Sequence, residues 1–239
     1  GCLSASGKGT ATTSLFATPP TIDGTIEAGE WHGAVRTTGF MEIGKHWLEA
    51  GMGSAYVGFS KERLFIAIVT ELPPDGKLVA NRKLRDGRLV FDDSFELWLN
   101  PYRNGKAGGT YFQILGNYIG TVGDTKFTGK GAPDKGWDPK MSFANGIHRT
   151  VEEGPAWARE NGVWTAELSI PFAELGWDGD PIGRSIGILI CRNFKRAAGW
   201  KQPTWFPHKG SFVSWFEYPE IKLTANAPSI QIQSLGEGA

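Results

Sequence analysis

The chain has little of what catalytic and metal centres are commonly built from. Its 239 residues include two cysteines, four histidines and three methionines. The histidines are scattered without the spacing of metal ligands, and the two cysteines do not form a zinc-type pattern. Cys2 lies at the N-terminus and Cys191 lies inside the apolar run SIGILICRNF, so a disulfide between them is improbable. We expect Cys191 to act as a small buried hydrophobic residue.

An excess of one charge and long apolar runs are also missing. Lys plus Arg equals Asp plus Glu at 25 each, so the net charge is zero and nucleic acid is an unexpected partner. No run is long enough to span a bilayer, so membrane attachment would need a lipid. Cys2 and the Ser/Gly/Thr-rich residues after it are typical of a processed bacterial lipoprotein, which predicts an extracellular or cell-surface location. The alternative is that Gly1 and Cys2 are remnants without function.

Glycine and proline are plentiful, with 33 and 14 residues. They separate short β-rich runs and indicate frequent turns, which predicts one all-β domain, a two-sheet antiparallel β-sandwich. We expect a flexible leader over residues 1–20, the sandwich over 21–224 and a tail over 225–239. One helical turn is expected within Ile170–Trp177, closed by Gly176. The predicted strands cover residues 54–59, 63–70, 93–100, 110–116, 163–170 and 185–192.

The block DDSFELWLNP, Asp92 to Pro101, carries the most information about function. At a period of two, Phe95, Leu97 and Leu99 share one face of the strand, while Glu96 and Trp98 share the other. A carboxylate and an indole on one face suit a ligand that needs hydrogen bonds and a flat apolar surface.

The acidic cluster in this block gives little support for catalysis. Asp92 and Glu96 share a side of the strand and Asp93 points away, whereas a glycosidase needs two carboxyl groups opposed across a bond. We therefore expect no enzyme, and we expect Asp92 or Asp93 to fix the strand start by binding backbone amides.

Five blocks in order resemble one known family. They are TIDGTIEAGEW, AYVGFSKERLFIAIVTE, DDSFELWLNP, GVWTAELSIPFAELGW and TWFPHKGSFVSWFEYPEIKL, and they cover roughly residues 21–224. This order resembles the family 9 carbohydrate-binding modules and their wider carbohydrate-binding and DOMON-like relatives. The resemblance implies a sandwich that binds sugars, sometimes with structural calcium, and that is usually a secreted part of a polysaccharide-degrading system beside glycoside hydrolases.

The family's sugar clamp implies two tryptophans, of which Trp205 matches the second. At the first position this chain has Leu89, Val90 and Phe91, so half of the clamp is absent or comes from Phe91. Trp98 is a second stacking candidate, with Trp137 and Trp200 in reserve, while Trp31 and Trp164 are expected in the core. For each stacking candidate the alternative is packing between the sheets.

The polar candidates for sugar binding are Glu96, Gln113, Asn117 and Arg192. A carboxylate accepts two sugar hydroxyls, and side-chain amides both donate and accept hydrogen bonds. The alternatives are an ion pair between Glu96 and Arg192, and amides that only satisfy turns and edges. Asp23, Asp134 and Asp138 are conceivable calcium ligands.

Two other functions stay open. The sandwich could have lost sugar binding and act as a spacer or protein-contact domain. Relatives of this sandwich also bind haem in electron transfer, which would use methionine with histidine or lysine. The residues available for that role are Met41, Met52, Met141, His46 and His148.

Overall fold

The computed structural model describes residues 10–27, 29–43, 48–73, 75–102, 109–129, 132–152, 156–196, 199–208 and 211–226. The strands are β1 (Thr10–Ser14), β2 (Val35–Glu42), β3 (Leu48–Phe59), β4 (Arg63–Glu71), β5 (Ser94–Asn100), β6 (Thr110–Asn117), β7 (Val122–Thr128), β8 (Ser142–His148), β9 (Val163–Pro171), β10 (Ser185–Arg196), β11 (Gly199–Lys201), β12 (Pro203–Thr204) and β13 (Glu220–Thr224). The helix α1 (Ala156–Asn161) and the 3-10 turns Leu89–Phe91, Phe172–Leu175 and Trp215–Glu217 complete the described elements.

The strands form two packed layers, which confirms the predicted all-β sandwich. The first sheet has the order β7-β6-β5-β10, and the second has the order β2-β3-β4-β9-β8. The short strand β12 pairs with both β10 and β2 and so joins the two sheets. All these pairs are antiparallel, both between consecutive strands such as β5 and β6 and between strands far apart in the chain such as β4 and β9.

The core lies between the two sheets. Phe95 of β5 contacts Phe143 of β8 at 5.4 Å and Trp164 of β9 at 6.5 Å between ring centroids. Leu97 and Leu99 are fully buried on the same face of β5 as Phe95. The period of two read from the sequence therefore orients this strand as expected.

All six predicted strands occur, within β3, β4, β5, β6, β9 and β10. The expected helical turn is the 3-10 turn Phe172–Leu175, and it ends at Gly176, whose φ of 75° is left-handed. Trp31 and Trp164 are buried as expected, and Cys191 is fully buried.

The described structure extends the folded part upstream of the predicted boundary at residue 21. Residues Thr10–Ser14 form β1, which pairs in parallel with β13, and Phe16 is buried against Trp31 and Phe65. The Ser/Thr-rich composition of β1 reads as a leader, but the edge of β13 supplies hydrogen bonds that no local pattern reveals. Cys2 and residues 227–239 lie outside the described residues.

The segment after β1 covers the outer face of the second sheet and is held by a buried carboxylate. Glu167 of β9 accepts hydrogen bonds from the backbone N–H groups of Gly24 at 2.8 Å and Asp23 at 3.2 Å. It also accepts one from Trp31 Nε1 at 3.1 Å. Burial raises the pKa of Glu167 above its usual value. The TIDGTIEAGEW block is therefore an architectural feature that docks the N-terminal segment.

Candidate functional site

The aspartates that open the DDSFELWLNP block are used to fix the start of β5. Asp92 accepts backbone N–H groups from Asn81 and Arg82, both at 3.0 Å. Asp93 accepts the backbone N–H of Val79 at 2.8 Å. Both carboxylates are fully buried, and their hydrogen bonds bind the preceding loop to the sheet.

Glu96 lies on the outer face of the first sheet, in the middle of a row of amide side chains. Its Oε1 accepts the Nε2 of Gln113 at 2.7 Å, and its Oε2 accepts the Nδ2 of Asn193 at 3.3 Å. The Oδ1 of Asn193 accepts the Nε2 of Gln202 at 3.0 Å. We call Gln113, Glu96, Asn193 and Gln202 the amide row.

The row presents its two ends, and not Glu96, to solvent. Glu96 is 2% exposed, whereas Gln113 and Gln202 are half-buried. Burial raises the pKa of Glu96, although the hydrogen bonds from Gln113, Asn193 and Trp98 oppose that shift. In the described part of the chain the Oε1 atoms of Gln113 and Gln202 have no hydrogen-bond partner. These two oxygens are accessible acceptors held in place by a buried carboxylate.

An aromatic cluster adjoins the amide row on the same face. Trp98 donates its Nε1 hydrogen to Glu96 Oε1 at 2.8 Å, and its ring lies 6.1 Å from Tyr111 and 6.4 Å from Phe212. Tyr111 is stacked between Phe127 at 4.6 Å and Trp215 at 4.9 Å. The aromatic cluster consists of Trp98, Tyr111, Phe127, Phe212 and Trp215.

Trp215 contributes both a ring and an unused donor to this cluster. Among the described residues its Nε1 atom is buried and has no hydrogen-bond partner. Its carbonyl accepts the Nδ2 of Asn100 at 3.0 Å, which fixes the turn that carries the ring. A half-buried indole beside polar amides has the composition of many small-molecule sites.

Strand pairing explains why these residues meet. Trp98 lies opposite Gln113 of β6, and Glu96 lies opposite Cys191 of β10. Residues opposite each other in an antiparallel pair project from the same face. Gln113, Glu96 and Trp98 are therefore brought together by register between strands that are separated along the chain.

The other predicted site residues lie elsewhere. Trp205 is 5% exposed in the main core, and its Nε1 donates to the carbonyl of Ile188 at 3.2 Å. Asn117 is fully buried and donates to the carbonyl of Arg82 at 2.9 Å, while its Oδ1 accepts the N–H of Thr121. The structure thus brings Glu96, Trp98 and Gln113 together. Trp98 is 4% exposed and belongs to the same core cluster as Trp205, so its ring is packed and is not open for stacking on a ligand.

Arg192 is enclosed between the sheets. Its guanidinium forms an ion pair with Asp93 at 3.1 Å and lies over Trp164 at 4.6 Å and Phe194 at 4.2 Å. Arg192 is opposite Phe95, so it projects to the inner face, while Glu96 projects to the outer face. The sequence suggested Glu96 as an ion-pair partner for Arg192. That pairing does not form, because the two side chains project from opposite faces of the sheet.

The reserve aromatic residues are placed as follows. Trp137 is half-buried and packs on Phe112 at 4.6 Å. Phe91, the stand-in for the absent first tryptophan of the clamp, is 39% exposed and lies under the guanidinium of Arg82 at 5.6 Å. The side chain of Trp200 lies outside the described residues.

Sequence reasoning missed Asn193, Gln202 and Trp215. Asn193 directly follows Arg192 in β10, so strand alternation was a signal that it faces away from Arg192. Gln202 and Trp215 lie in a short connection and a 3-10 turn, for which the sequence offers no periodicity.

The acidic residues considered as calcium ligands are engaged locally. Asp23 accepts the N–H of Thr25, Asp134 accepts the N–H of Gly136, and Asp138 pairs with Arg85. In the part of the chain that the structure describes, no group of three or more His, Cys, Asp or Glu side chains is arranged to hold a metal ion.

Neither histidine considered as a haem ligand supports that role in the described structure. His46 is outside the described residues, and the Nε2 of His148 lies 3.0 Å from Thr165 Oγ1. None of the described helices is both long and apolar enough to cross a membrane.

The fold matches solved structures over most of the chain. A family 9 carbohydrate-binding module from Caldicellulosiruptor kristjanssonii in complex with glucose is 14% identical, with a TM-score of 0.61 over 92% of this chain and 98% of that one. The fold is that of family 9 carbohydrate-binding modules. The predicted resemblance to this family is thereby confirmed at the level of the fold.

Two further structures agree with the family 9 fold. The Caldicellulosiruptor kristjanssonii module in complex with cellotriose is 15% identical, with a TM-score of 0.59 over 91% of this chain and 95% of that chain. A candidate carbohydrate-binding protein from Bacteroides uniformis is 11% identical, with a TM-score of 0.64 over 90% of this chain and 99% of that chain. No protein-family model and no curated protein sequence matches the chain.

Proposed function

We propose that this protein is a non-catalytic carbohydrate-binding module that binds an oligosaccharide or a polysaccharide on the outer face of the first sheet. The observation that carries the proposal is the amide row, which has two accessible amide oxygens and is joined to the aromatic cluster by the hydrogen bond from Trp98 to Glu96. The solved structures of the same fold with glucose and cellotriose support the same ligand class.

The chemistry of the amide row suits sugar hydroxyl groups. A sugar hydroxyl both donates and accepts, and the Oε1 atoms of Gln113 and Gln202 are acceptors aimed away from the buried carboxylate. Glu96 acts as the anchor that orients Gln113 and Asn193. Trp215 offers a half-buried indole ring in the adjoining aromatic cluster, where it stacks on Tyr111. A few hydroxyl bonds and one stacked ring give micromolar-range binding, roughly −7 to −8 kcal/mol.

The wider setting of the protein belongs to the same proposal. We expect a secreted or surface protein of a polysaccharide-utilisation system that works beside glycoside hydrolases, anchored through a lipid if Cys2 is acylated. Structural calcium is a further expectation, carried by the family resemblance. Triton X-114 partitioning of the full-length protein from its natural host, compared with a Cys2→Ser variant, tests the lipid.

One observation favours a second candidate function. Trp205, which matches the family's clamp, is 5% exposed and packed in the core. A sandwich that keeps this tryptophan for packing could serve as a spacer or protein-contact domain without a sugar.

A glycan array followed by calorimetry separates the two functions. We expect binding to at least one plant, algal or host polysaccharide, and we expect Gln113→Ala to weaken it by at least about 1 kcal/mol, since it removes an oriented polar contact. The control is Ser142→Ala on the exposed edge strand β8, which should bind as the unaltered protein does. An array without binding would support the spacer instead, whereas equal affinity for Gln113→Ala would show that the sugar binds away from the amide row.

A further inference from the structure

The hydrogen bonds of the Glu96 carboxylate all run in one direction, toward its oxygens. Oε1 accepts from Gln113 Nε2 at 2.7 Å and from Trp98 Nε1 at 2.8 Å, and Oε2 accepts from Asn193 Nδ2 at 3.3 Å. An ionised carboxylate has acceptors only, so it fits this set of three donors. The ionised form of Glu96 therefore fixes the orientation of Gln113 and Asn193.

The two oxygens of Glu96 differ in what a bound proton requires of their neighbours. A proton on Oε1 meets the indole N–H of Trp98, which donates and cannot accept. Oε2 accepts one hydrogen bond, from the side-chain amide of Asn193, and an amide that turns over presents its oxygen in place of its nitrogen. Oε2 is therefore the atom at which Glu96 can take a proton and keep its hydrogen bonds.

The other partners of Asn193 tolerate this reversal. Asn193 Nδ2 also donates to Ser94 Oγ at 3.1 Å, and Ser94 Oγ donates to the carbonyl of Leu89 at 2.8 Å. When Asn193 turns over, the Ser94 hydroxyl can rotate and donate to Oδ1. The Leu89 carbonyl keeps the N–H of Asp92 at 3.0 Å. Both orientations of Asn193 thus leave these buried groups paired.

The reversal passes from Asn193 to Gln202. Gln202 Nε2 donates to Asn193 Oδ1 at 3.0 Å, so Gln202 Oε1 is the accessible acceptor at this end of the amide row. Once Asn193 has turned over, its Nδ2 faces Gln202, and Gln202 has to turn as well in order to accept with Oε1. The atom that Gln202 then presents to solvent is Nε2, which is a donor.

The surrounding titratable groups leave Glu96 as the group that decides between these two states. On this side of the sheet they are Asp92, Lys195, Cys191, Tyr111, Tyr218 and His208. Burial raises the pKa of Cys191 and of Tyr218 well above the usual values, so both stay neutral where carboxyl groups titrate. Burial also raises the pKa of Tyr111.

The remaining groups are occupied elsewhere or exposed. Asp92 accepts backbone N–H groups, Lys195 is exposed, and the Nε2 of His208 lies 2.9 Å from the carbonyl oxygen of Ser211. Glu96 forms no ion pair with any described residue. No cation therefore holds its carboxylate in the ionised form, and only hydrogen bonds oppose the effect of burial on its pKa.

We propose that the amide row is a proton-controlled relay, in which protonation of Glu96 at Oε2 reverses Asn193 and Gln202 and changes the exposed end of the row from an acceptor to a donor. The inference rests on the proposed carbohydrate-binding function and concerns the regulation of that site. Above the folded-state pKa of Glu96, Gln202 accepts from a sugar hydroxyl group. Below that pKa the acceptor is replaced by an N–H group, and a hydroxyl held to donate there loses its partner.

Side-chain amide signals in ¹H–¹⁵N NMR test the reversal without any ligand. The signals of Asn193 and Gln202 should move together between about pH 4 and about pH 8, with one apparent pKa above 4.5, the usual value for this carboxyl. Glu96→Gln places an NH₂ group where the proton on Oε2 would be, because Gln113 and Trp98 require an acceptor at the other position. Its Asn193 and Gln202 signals should match the low-pH signals of the unaltered protein at every pH.

Calorimetry with a glycan identified on the array tests the consequence for binding. The affinity of the unaltered protein should fall about tenfold from about pH 8 to about pH 4, since one oriented hydrogen bond is lost. Glu96→Gln should bind with the low-pH affinity throughout. Gln202→Ala removes the exposed end of the row and should abolish the pH dependence, and it decides the question alone if Glu96→Gln does not fold.

Asp124→Asn is the matched control. It removes a different carboxyl group, on β7, whose pKa is raised by burial to about 6. The variant should keep both the titration of Asn193 and Gln202 and the pH dependence of binding. Thermal unfolding at each pH shows that every variant compared is folded.

Three results would overturn the inference. In the first, the signals of Asn193 and Gln202 do not change between about pH 4 and about pH 8. In the second, they change, but the affinities of the unaltered protein and of Gln202→Ala depend on pH alike. In both cases Gln113-dependent binding of a glycan would leave the proposed function standing. In the third, no glycan binds at any pH, which removes the proposed function and the inference together.

Discussion

At the scale of single residues, the two faces of β5 give neighbouring carboxylates different partners. Asp93 faces the core and meets Arg192, while Glu96 faces outward and holds Gln113 and Asn193. A buried charge is tolerated only when a partner and hydrogen bonds replace water. The Asp93–Arg192 pair satisfies this requirement, because Arg192 also donates to the carbonyl of Ser94 at 3.2 Å.

Replacing Arg192 with alanine should strongly destabilise the protein. The change removes the guanidinium that pairs with the fully buried Asp93 and opens a cavity beside Trp164. We expect a loss of about 3–5 kcal/mol in the free energy of unfolding, measured in guanidinium chloride. Arg159→Ala, at an exposed position in α1, should change it by less than about 0.5 kcal/mol. Similar small values for both variants would contradict this role of the ion pair.

At the scale of elements, the edge strand β7 is protected by its neighbours. Its outward backbone groups bond to Asp86 at one end and to Asp134 at the other, so the edge is not open along its length. Asp124 of β7 lies buried beneath this cover, next to Arg85, Asp86 and Asp138. Burial raises the pKa of Asp124 to about 6, although Arg85 opposes the shift.

The stability of the protein should therefore depend on pH through Asp124. Its folded-state pKa of about 6 is above the unfolded value of 3.8, so the folded state binds more protons between these values. Its contribution is fully present below pH 3.8 and is lost as pH rises through about 6.

Asp124→Asn tests this assignment. Urea unfolding from pH 4 to pH 7 should show a flatter profile for the variant, with a difference of about 1–3 kcal/mol across the window. The other buried carboxyl groups, including Glu96 and Glu167, contribute equally to the pH dependence of the unaltered protein and of the variant. Parallel profiles would show that Asp124 does not titrate in this range.

Strands with a strong local sequence pattern could be predicted, whereas strands that form only by pairing with a neighbouring strand could not. β4, β9 and β10 are apolar runs bounded by turns, and the sequence located each of them. β8 is a half-buried edge strand with a Gly inside it, and β12 has two residues. Such strands are recognisable only once the strand beside them is in place.

At the scale of the whole molecule, the first and last described strands are built into the sandwich. β1 pairs with β13, and β13 in turn pairs with β10 of the first sheet. β12 joins β10 to β2 of the second sheet. The two sheets thus share hydrogen-bonded strands as well as one core.

We expect the protein to unfold in a single transition. Because the sheets are joined through β12 and share buried side chains, neither should persist after the other has opened. Far-UV circular dichroism and tryptophan fluorescence, recorded against urea, should give the same midpoint. Separate midpoints would show that the sheets are independent units.

The sequence by itself determined the sandwich, the six main strands and the inward face of β5, because these depend on local periodicity and turn residues. It also named Glu96, Trp98 and Gln113 among its candidate binding residues, and these three are in contact in the structure. The tertiary structure decided that Trp205 packs in the core and Arg192 pairs with Asp93, and it added Asn193, Gln202 and Trp215 to the candidate site. The physical reason is that register between distant strands decides which side chains share a face, and no single strand contains that information.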